Sequence, residues 1–400
     1  MDIYKFGGSS VATAERMKKV FSIVENIDAC IIVLSAIGKK NYNDEKVTDL
    51  LIELGNSKNN TIKTERLKKR IKNKFFEIAE KIAPLHKADY FKQTLNYFFE
   101  NIGSYSDNYI ISRGEYFTCL IFSLMTNIPF IDASDIIRFD TNNRISFEET
   151  KKAIGYINYK KFITCGFYGS DKKGNITLFP RGGGDVTGAV LSRVCGSKNF
   201  YNYTDVNGIY TIPPEYSGTN ITIAETNYSR LKTICSYGTQ TFCNEAIKYL
   251  ADKKITLYIK NTFDPSGKST KISDDFNSSE KPCVFVRKGL VKLEIAISER
   301  FEIFGILFEF LKYIMSHKIV LTRFSCNKES CVFYIFENDF SIIKNHPILK
   351  NARNQKKLIQ ITKVMFLTDS RPIKKNYYLS SNCSEKTIKR QIDMLIDKNE

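Results

Sequence analysis

Within its first 36 residues the chain reads strand, turn, helix, strand, and this order narrows the folds open to it. A strand is predicted at residues 3–6 (IYKF), a helix from about Thr13 to Glu25, and a second strand at residues 30–36 (CIIVLSA), whose apolar run suits burial on both faces. Parallel strands joined through a helix require a right-handed crossover. The beginning of the chain therefore predicts a βαβ unit.

The alternation of strands and helices continues to about residue 261. Polar sequence of helical character fills residues 39–100, and apolar residues at helical intervals predict a helix from Asn108 to Met125. Further strands are predicted at 128–135, 160–170, 176–179 and 254–261, and further helices after residue 181, near 227–236 and at 239–251. This order predicts an α/β fold in which a doubly wound, mainly parallel sheet lies between helical layers.

The chain is strongly basic, with 60 Lys and Arg against 43 Asp and Glu and a formal net charge of +17. A nucleic-acid partner therefore has to be considered. The densest basic run, residues 58–74, lacks interleaved aromatic residues for base stacking and matches no known docking module. We therefore prefer a solvated helix face over nucleic-acid binding as the interpretation of this run.

Cysteine and histidine usage disfavours a structural metal site. The ten cysteines stand singly, without a Cys-x-x-Cys pair, and the chain has three histidines. Most of the cysteines lie in apolar runs and are expected to be buried, reduced thiols. Because no apolar stretch reaches the ~18–20 residues of a membrane span and no targeting signal is recognisable, the expected location is the cytoplasm, with no membrane partner.

The first glycine-rich turn follows the first strand and carries Lys5, Gly7 and Gly8. Glycines without a Cβ let backbone N–H groups approach a ligand, and the following helix points its positive end at the same place. A lysine just before such a turn can place its ammonium group on phosphate oxygens. The combination predicts an anion-binding cradle, with a tight turn and a surface lysine as the alternative.

The second glycine-rich stretch, residues 179–192, joins a predicted strand to a predicted helix. Gly182 to Gly184 can hold an anion through their N–H groups, and Arg181 offers a planar fork for a carboxylate or phosphate. Asp185 enters the helix, where a capping role is the alternative. Two such loops indicate a phosphate that moves between two anionic ligands.

Two further stretches carry polar residues in apolar surroundings or at a strand end. Gly114 and Glu115 lie within the predicted apolar helix. A lone glutamate there is costly unless it meets a cation, such as the ammonium group of a substrate or the neighbouring Arg113. Residues 203–211 (YTDVNGIYT) form a predicted strand end and loop, and nucleotides usually lie at the carboxyl edge of a parallel sheet. These stretches predict an ammonium site and a nucleotide site.

In this order and at these separations, the four stretches resemble the motifs of the aspartate kinase family, which has the amino-acid kinase (carbamate kinase-like) fold. The other matching motifs are VLSA (33–36), SYGTQTFCNEA (236–246) and IKNTFDPSGKSTKI (259–272). KFGGSSV (5–11) resembles the family's K-F-G-G-T-S-V, PRGGGD (180–185) its G-R-G-G-S-D, Gly114-Glu115 its G-E, and YTDVNGIYTIPP (203–214) its W-T-D-V-D-G-V-Y-T-A-D-P. The resemblance covers about residues 2–272.

The resemblance implies ATP-dependent phosphorylation of the side-chain carboxylate of L-aspartate to 4-phospho-L-aspartate, the first step towards lysine, threonine, methionine and diaminopimelate. Mg²⁺ would be carried on the ATP phosphates, and no protein residue is assigned as a metal ligand. By position, the catalytic residues would be Lys5, Asp185 and Arg181. The ATP-binding residues would be Lys5, Phe6, Gly7, Gly8, Thr204, Asp205, Tyr210 and Gln240. The substrate-binding residues would be Ser35, Thr48, Glu115, Arg181, Gly184 and Asp185.

Three positions depart from the family pattern. The serine of the family's R-G-G-S-D is Gly184 here, its D-P-R is Pro213-Pro214-Glu215, and the lysine of its F-G-A-K is Gln240. The loss of two cations near the nucleotide should weaken ATP binding by about 1–3 kcal/mol each, which predicts a working kinase with a high ATP requirement. The alternatives are an amino-acid kinase for another carboxylate or carbamate, and a catalytically impaired, amino-acid-sensing pseudokinase.

A polar stretch rich in Ser and Lys at 266–283 predicts a boundary between a catalytic domain at residues 1–277 and a second region at 283–400. The second region is similar to the paired ACT modules of the family, with the βαββαβ order of an α+β module and a degenerate second unit. The resemblance implies a homodimer formed through this region and regulation by lysine or threonine. A module that only holds the dimer together is the alternative.

Overall fold

We describe the protein from a computed structural model of the 400-residue chain. It forms two compact units, one of Met1–Ile209 with Thr222–Asn277 and one of Tyr210–Ile221 with Ser278–Glu400. The first unit thus differs from the catalytic domain predicted at residues 1–277 by one short segment. The residues that the structure describes are 1–57, 60–179, 182–216, 221–236, 242–274, 283–296, 302–317, 319, 321–326, 330–343, 346, 352–365, 373–380, 388–392 and 394.

Short strands alternate with helices throughout the described part of the first unit. Its strands are β1 (Asp2–Phe6), β2 (Cys30–Leu34), β3 (Phe130–Ile131), β4 (Lys161–Cys165), β5 (Tyr168–Ser170), β6 (Ile176–Leu178), β7 (Asn199–Thr204), β8 (Glu225–Thr226), β9 (Thr256–Asn261) and β10 (Thr270–Ile272). Its helices are α1 (Ala14–Val24), α2 (Val47–Gly55), α3 (Thr61–Ile82), α4 (Leu85–Glu100), α5 (Asp107–Thr126), α6 (Ala133–Ile136), α7 (Phe147–Gly155), α8 (Gly183–Val194), α9 (Tyr228–Ser236) and α10 (Asn244–Ala251). The predicted α/β alternation is confirmed.

Eight of these strands form one sheet in the order β3-β4-β2-β1-β7-β9-β10-β8. Neighbouring strands from β3 to β9 run parallel, β10 is antiparallel to β9, and β8 is parallel to β10. All five residues of β2 are buried, as expected of a strand covered on both faces. The predicted mainly parallel sheet is confirmed, and its carboxyl edge brings together the ends of β1, β2, β4 and β7.

Side-chain caps set where the helices beside the sheet begin. Thr13 caps α1 by accepting a hydrogen bond from the Arg16 N–H at 3.3 Å, and Ser106 caps α5 by accepting one from the Tyr109 N–H. Both helices lie within two residues of the predicted bounds. Among the described helices, none is at once long enough and apolar enough to cross a membrane.

The basic run at 58–74 lies largely in α3. The buried residues of this helix recur at helical spacing and are mostly apolar, among them Leu67 and Ile71. Basic side chains lie between them and pair with acidic ones, as Lys63 does with Glu53 at 2.9 Å. The described part of the run is thus a helix face that carries its own ion pairs.

Two predicted strands are interrupted. The strand predicted at 128–135 stops after two residues, because Asp132 caps the short helix α6 by accepting a hydrogen bond from the Ser134 N–H at 2.9 Å. The strand predicted at 160–170 is split into β4 and β5 by Phe167, whose φ of 80° lies in the left-handed region. After this bend β5 pairs with β6 in a two-stranded hairpin, outside the main sheet.

The second unit is described for part of its length. Its strands are β11 (Cys283–Ala296), β12 (Leu321–Cys326), β13 (Ser330–Phe336), β14 (Ala352–Met365) and β15 (Ile373–Ser380), and its helices are α11 (Glu302–Ser316) and α12 (Glu337–Ile343). The strands form one antiparallel sheet in the order β12-β13-β11-β14-β15. Apolar side chains of α11 and of the sheet, such as Phe310 and Phe333, form a core within this unit.

One cysteine pair departs from the expected chemistry. Cys326 and Cys331 lie opposite each other on β12 and β13 and are joined in a disulfide. The expectation of reduced thiols does not hold for this pair, because the hairpin register brings the two residues together. Six other cysteines are free within the described residues, and three of them, Cys30, Cys119 and Cys165, are buried.

Candidate active site

An open cleft of about 970 Å³ lies at the carboxyl edge of the main sheet in the first unit. Residues that follow β1, β2, β4 and β7 surround it, which is where ligands bind in open parallel sheets. The predicted site residues that line it are Lys5, Gly7, Gly8, Ser35, Thr48, Glu115, Gly184, Asp185, Thr204 and Asp205. Residues singled out in separate stretches of the sequence thus meet in one place.

The remaining predicted residues have other positions. Arg181 and Gln240 lie outside the described residues. Tyr210 belongs to the second unit. Phe6 is fully buried, with 4.9 Å between the centroids of its ring and the stacked Tyr203 ring. The Phe6 side chain therefore contributes to the core of the first unit and does not line the cleft.

Lys5, near the end of β1, forms an ion pair with Asp185 in the first turn of α8, with 2.5 Å between Nζ and Oδ1. The two side chains are 12% and 11% exposed, so the pair is largely shielded from water. A nearly buried ammonium group needs such a partner, and the carboxylate fixes its position in the cleft. The two residues are 180 positions apart in the sequence, and packing of α8 on the sheet brings them together.

The turn after β1 is held against the neighbouring strands. The Gly7 N–H donates a hydrogen bond to the Tyr203 carbonyl at 3.2 Å. A Cβ on Gly8 would lie 2.7 Å from the Ala36 carbonyl oxygen, a clash that glycine avoids. The Gly7 amide, which the sequence analysis places in the anion cradle, is therefore already hydrogen-bonded, whereas the first amides of the following 3₁₀ turn, Gly8–Val11, have no partner within that turn.

The second glycine-rich loop opens α8 beside Lys5. Gly182 caps the helix with a φ of 81°, a left-handed conformation that favours glycine. A Cβ on Gly184 would lie 3.2 Å from Lys5 Cε and 3.1 Å from Ser35 Oγ. The glycine at 184, one of the departures from the family pattern, therefore leaves room for the Lys5 side chain where a serine would crowd it.

Glu115 reaches the cleft from α5. Gly114 lets this helix lie close to the end of β2, since a Cβ there would be 3.0 Å from the Ala36 Cβ. The Glu115 side chain is buried, it accepts a hydrogen bond from the Ala36 N–H, and its Oε2 has no partner among the described residues. Burial raises the pKa of Glu115 to about 8. A buried carboxyl group with an unused oxygen is suited to a cationic ligand.

Arg113, the other cation considered for Glu115, is engaged elsewhere. Its Nη1 lies 3.6 Å from Oδ2 of Asp132. Its guanidinium carbon also lies 4.2 Å from the ring centroid of Tyr109 and 4.4 Å from that of Tyr116. These contacts engage the arginine, and among the described residues Glu115 forms no ion pair with a Lys or Arg side chain, so its carboxyl group is open to a cationic ligand.

The cleft has two ends with Lys5 between them. Ser35 follows β2, whereas Thr204 and Asp205 lie at the end of β7, and β1 runs between those two strands. Thr204 Oγ1 donates a hydrogen bond to Oδ1 of Asp205 at 3.2 Å. An anion-binding lysine between two sets of polar side chains is suited to moving a charged group from one ligand to another.

Comparison with known proteins gives the family. A sequence model of the amino acid kinase family matches residues 3–261, more than half of the chain. The chain belongs to the amino acid kinase family. The match spans the strands from β1 to β9, and it confirms the amino-acid kinase fold predicted for this part of the chain.

Proteins similar to this chain include aspartokinases. Aspartokinase 3 of Bacillus subtilis (strain 168) is 26% identical over 338 residues, which are 81% of this chain and 72% of that protein. The aspartokinase of Chlamydia pneumoniae is 27% identical over 275 residues, which are 66% of this chain and 60% of that protein. The crystal structure of Clostridium acetobutylicum aspartate kinase has 27% sequence identity and a TM-score of 0.75, and the match covers 91% of this chain and 87% of that one. The resemblance to aspartate kinases is thus confirmed, and this kinase spans 60–72% of the length of the two curated relatives.

The sequence alone does not single out three residues that line the cleft of this kinase, Lys39, Lys46 and Phe167. In a chain with 60 Lys and Arg, no local pattern distinguishes the two lysines from surface lysines. A phenylalanine after a glycine likewise gives no sign of a left-handed backbone. The usable signal is position, since all three follow the carboxyl ends of parallel strands, where functional loops concentrate.

Proposed function

We propose that this chain is an aspartate kinase, which transfers the terminal phosphoryl group of ATP to the side-chain carboxylate of L-aspartate and yields 4-phospho-L-aspartate and ADP. One observation carries the proposal: the Lys5–Asp185 ion pair lies in the same cleft as the buried Glu115 carboxyl group, which forms no ion pair among the described residues. The aspartokinase relatives support the choice of acceptor.

Lys5 is suited to the phosphoryl group in transfer. An oxygen of the aspartate carboxylate attacks the terminal phosphorus, and the bond from that phosphorus to the bridging oxygen of ADP breaks. Catalysis of this step is mainly positioning and neutralisation of negative charge. An ammonium group has three donors, and Asp185 uses one of them, so the others can meet phosphoryl oxygens. The first amides of α8 and of the turn after β1 add partial positive charge.

Glu115 is proposed to bind the α-ammonium group of aspartate. The carboxyl group is buried and protonated at neutral pH, and an arriving ammonium group would displace the proton and form a charge-assisted hydrogen bond. Ser35 and Thr48 line the same cleft and would contact polar groups of the substrate. Arg181 is proposed to clamp a substrate carboxylate, as its position in the family motif suggests.

Mg²⁺ is proposed to enter with ATP. When bound it neutralises charge on the phosphate oxygens. The cleft offers the hard oxygen donors that this ion prefers, including Asp205, whose carboxylate is not committed to Lys5 as that of Asp185 is. The cleft residues therefore fit the ion, and Asp205 would hold it directly or through its water shell.

The test is trapping of the acyl phosphate with hydroxylamine, with Mg-ATP and with aspartate, glutamate or N-acetylglutamate in turn. We expect hydroxamate from aspartate, and a loss of at least ~100-fold in Lys5→Ala, the effect of removing a charge-stabilising donor. Lys18→Ala removes the same charge from an exposed position on α1 and serves as the matched control. Preference for another acceptor would refute aspartate as the substrate, and no heat of Mg-ATP binding at millimolar concentration would instead indicate a pseudokinase.

The second unit is proposed to be an ACT-like regulatory region that forms a homodimer and binds lysine or threonine as effector. Its described elements follow the order strand, helix, strand, strand, helix, strand, strand, in one antiparallel sheet. The Clostridium aspartate kinase is described as an allosteric enzyme, which supports a regulatory role. Analytical ultracentrifugation of the full chain, and initial rates with added lysine or threonine, test the two parts separately. We further propose that this reaction is the first step towards lysine, threonine, methionine and diaminopimelate, and that it takes place in the cytoplasm.

A further inference from the structure

The loop between β2 and α2 brings two more cations to the cleft, Lys39 and Lys46. Within the described part of the chain, neither forms an ion pair with a carboxylate, whereas the adjacent Lys40 pairs with Glu77 at 3.2 Å. Both cleft lysines are exposed, so their ammonium groups can bind an anionic ligand. Lys39 is the one that adjoins the glycine turn after β1.

Main-chain contacts hold Lys39 next to that turn. The Gly38 N–H donates a hydrogen bond to the Gly8 carbonyl at 3.0 Å. A Cβ on Gly38 would lie 2.6 Å from the Gly8 carbonyl carbon, so the two loops touch backbone to backbone. Lys39 therefore directly follows the residue that touches this turn, Gly38. The first amides of the turn are the proposed phosphate site.

Arg16 on α1 bridges the same turn and loop. Its Nη1 donates to the Ser9 carbonyl at 3.0 Å and to the Lys39 carbonyl at 3.4 Å, and its Nη2 donates to the Lys40 carbonyl at 3.3 Å. The guanidinium carbon also lies 5.3 Å from the ring centroid of Phe263. A planar guanidinium carries its five donors in a rigid fork, so it can hold two backbone segments in a fixed geometry, which the flexible ammonium group of a lysine does less well.

We propose that Lys39 binds the phosphates of the nucleotide and that Arg16 is the positioning residue that sets it for this contact. The inference rests on the proposed kinase function and adds a residue to its nucleotide site. A further cation would help there, because the ammonium group of Lys5 is already paired with the Asp185 carboxylate. An ammonium group is a compact charge with three donors, suited to the oxygens of the terminal phosphates.

The test measures nucleotide binding directly, by calorimetry with Mg²⁺ and adenylyl imidodiphosphate, and through KM for ATP. We expect Lys39→Gln to raise both Kd and KM at least ~10-fold, as for a lost charge-assisted contact, with less change in kcat and none in KM for aspartate. Lys39→Arg keeps the charge and restores most of the affinity. Lys19→Gln removes the same charge from an exposed position on α1 outside the cleft and leaves both constants unchanged.

Several results would overturn the inference. One such result is a Kd for the nucleotide analogue and a KM for ATP in Lys39→Gln that are both within two-fold of the wild-type values. Another is an effect confined to KM for aspartate, which would place Lys39 at the aspartate-binding part of the cleft. The calorimetry contains no aspartate, so it separates the two proposals. If the wild-type protein binds the nucleotide analogue but yields no aspartyl hydroxamate, the proposed aspartate kinase function is refuted. The role of Lys39 in nucleotide binding can still be tested by calorimetry in that case.

The role of Arg16 is tested by combining substitutions at Arg16 and Lys39 in a double variant. If Arg16 acts through Lys39, Arg16→Gln raises KM for ATP about five-fold in the wild-type background and less than two-fold in the Lys39→Gln background. Arg16→Lys, which loses the fork, gives an intermediate value. Melting curves by circular dichroism show whether each variant is folded under the assay conditions. Effects that multiply in the double variant would overturn the positioning role and leave Arg16 a structural residue.

Discussion

Replacing Glu115 by glutamine removes an ionisable group from the cleft and keeps its shape. In the wild-type protein burial raises the pKa of Glu115 to about 8, so only about one molecule in ten carries the carboxylate at pH 7. If the carboxylate is the form that binds the α-ammonium group, the apparent affinity for aspartate is reduced by that fraction. Ionising Glu115 at pH 7 then costs about 1 kcal/mol of binding free energy.

The pH profile of KM for aspartate follows from this value. Below the pKa, each unit of pH changes the ionised fraction about ten-fold, so KM falls about fifty-fold between pH 6 and pH 8 and levels off above it. Calorimetry at pH 7 should show release of about 0.9 proton per aspartate bound, read from titrations in buffers of different ionisation enthalpy. In Glu115→Gln, KM for aspartate rises at least ~10-fold at pH 8 and loses this dependence, whereas KM for ATP is the internal control.

The stability of the protein, measured without added aspartate or nucleotide, provides an independent test. The folded pKa of Glu115 is raised above that of the unfolded chain, so between about pH 4.5 and 8 the folded state binds more protons. The contribution of Glu115 to the free energy of unfolding is therefore complete at the acid end of this window and is lost as the pH rises. Relative to Glu115→Gln, the wild type should lose on the order of a few kcal/mol across the window, measured by urea unfolding at each pH. Parallel pH profiles of the two proteins, in KM or in stability, would contradict the assignment.

Substitutions at three further positions test the cleft and the turn after β1. Asp185→Asn leaves Lys5 without a carboxylate and should lower kcat about 100-fold in the ADP-release assay; a change below three-fold would contradict its positioning role. Gly184→Ser places a Cβ 3.2 Å from Lys5 Cε and should lower kcat a few-fold, and Gly184→Ala should do the same if crowding is the cause. Thr262→Val breaks its buried 2.7 Å hydrogen bond to Ser10 and should cost about 1–3 kcal/mol in urea unfolding, whereas Thr262→Ser should retain most of it.

The fold can be predicted from local sequence where the surroundings of a strand are uniform. β2, which lies within the strand predicted at residues 30–36, is apolar throughout, and all five of its residues are buried. The break after β4 cannot be predicted in this way. Thr187 Oγ1 accepts the Phe167 N–H at 3.0 Å, and the Phe179 N–H donates to the Phe167 carbonyl at 2.8 Å. The left-handed backbone of Phe167 is held by contacts from distant parts of the chain.

The candidate site can be predicted as far as the motifs extend. Lys5 and Asp185 have no periodic relation across 180 positions, and the family resemblance alone assigned them to one site. The Gly7 amide was expected to bind phosphate, but the parallel register of β1 and β7 gives it to the Tyr203 carbonyl. Lys39 belongs to no motif, and its place depends on the contact between two loops. The contacts that depend on tertiary packing therefore cannot be predicted from the local sequence.

The cleft compensates its buried ionisable groups in two different ways. Lys5 and Asp185 neutralise each other as an ion pair, whereas Glu115 keeps its proton because burial disfavours the charged form. Stability alone gives no reason for the second arrangement, since an apolar residue at 115 would avoid a buried oxygen that has no partner within the described part of the chain. The carboxyl group is therefore better explained by a complex, in which a cationic ligand supplies the missing partner. A ligand that brings an ammonium group to Glu115 and a carboxylate to the phosphoryl group beside Lys5 is an amino acid with an acidic side chain.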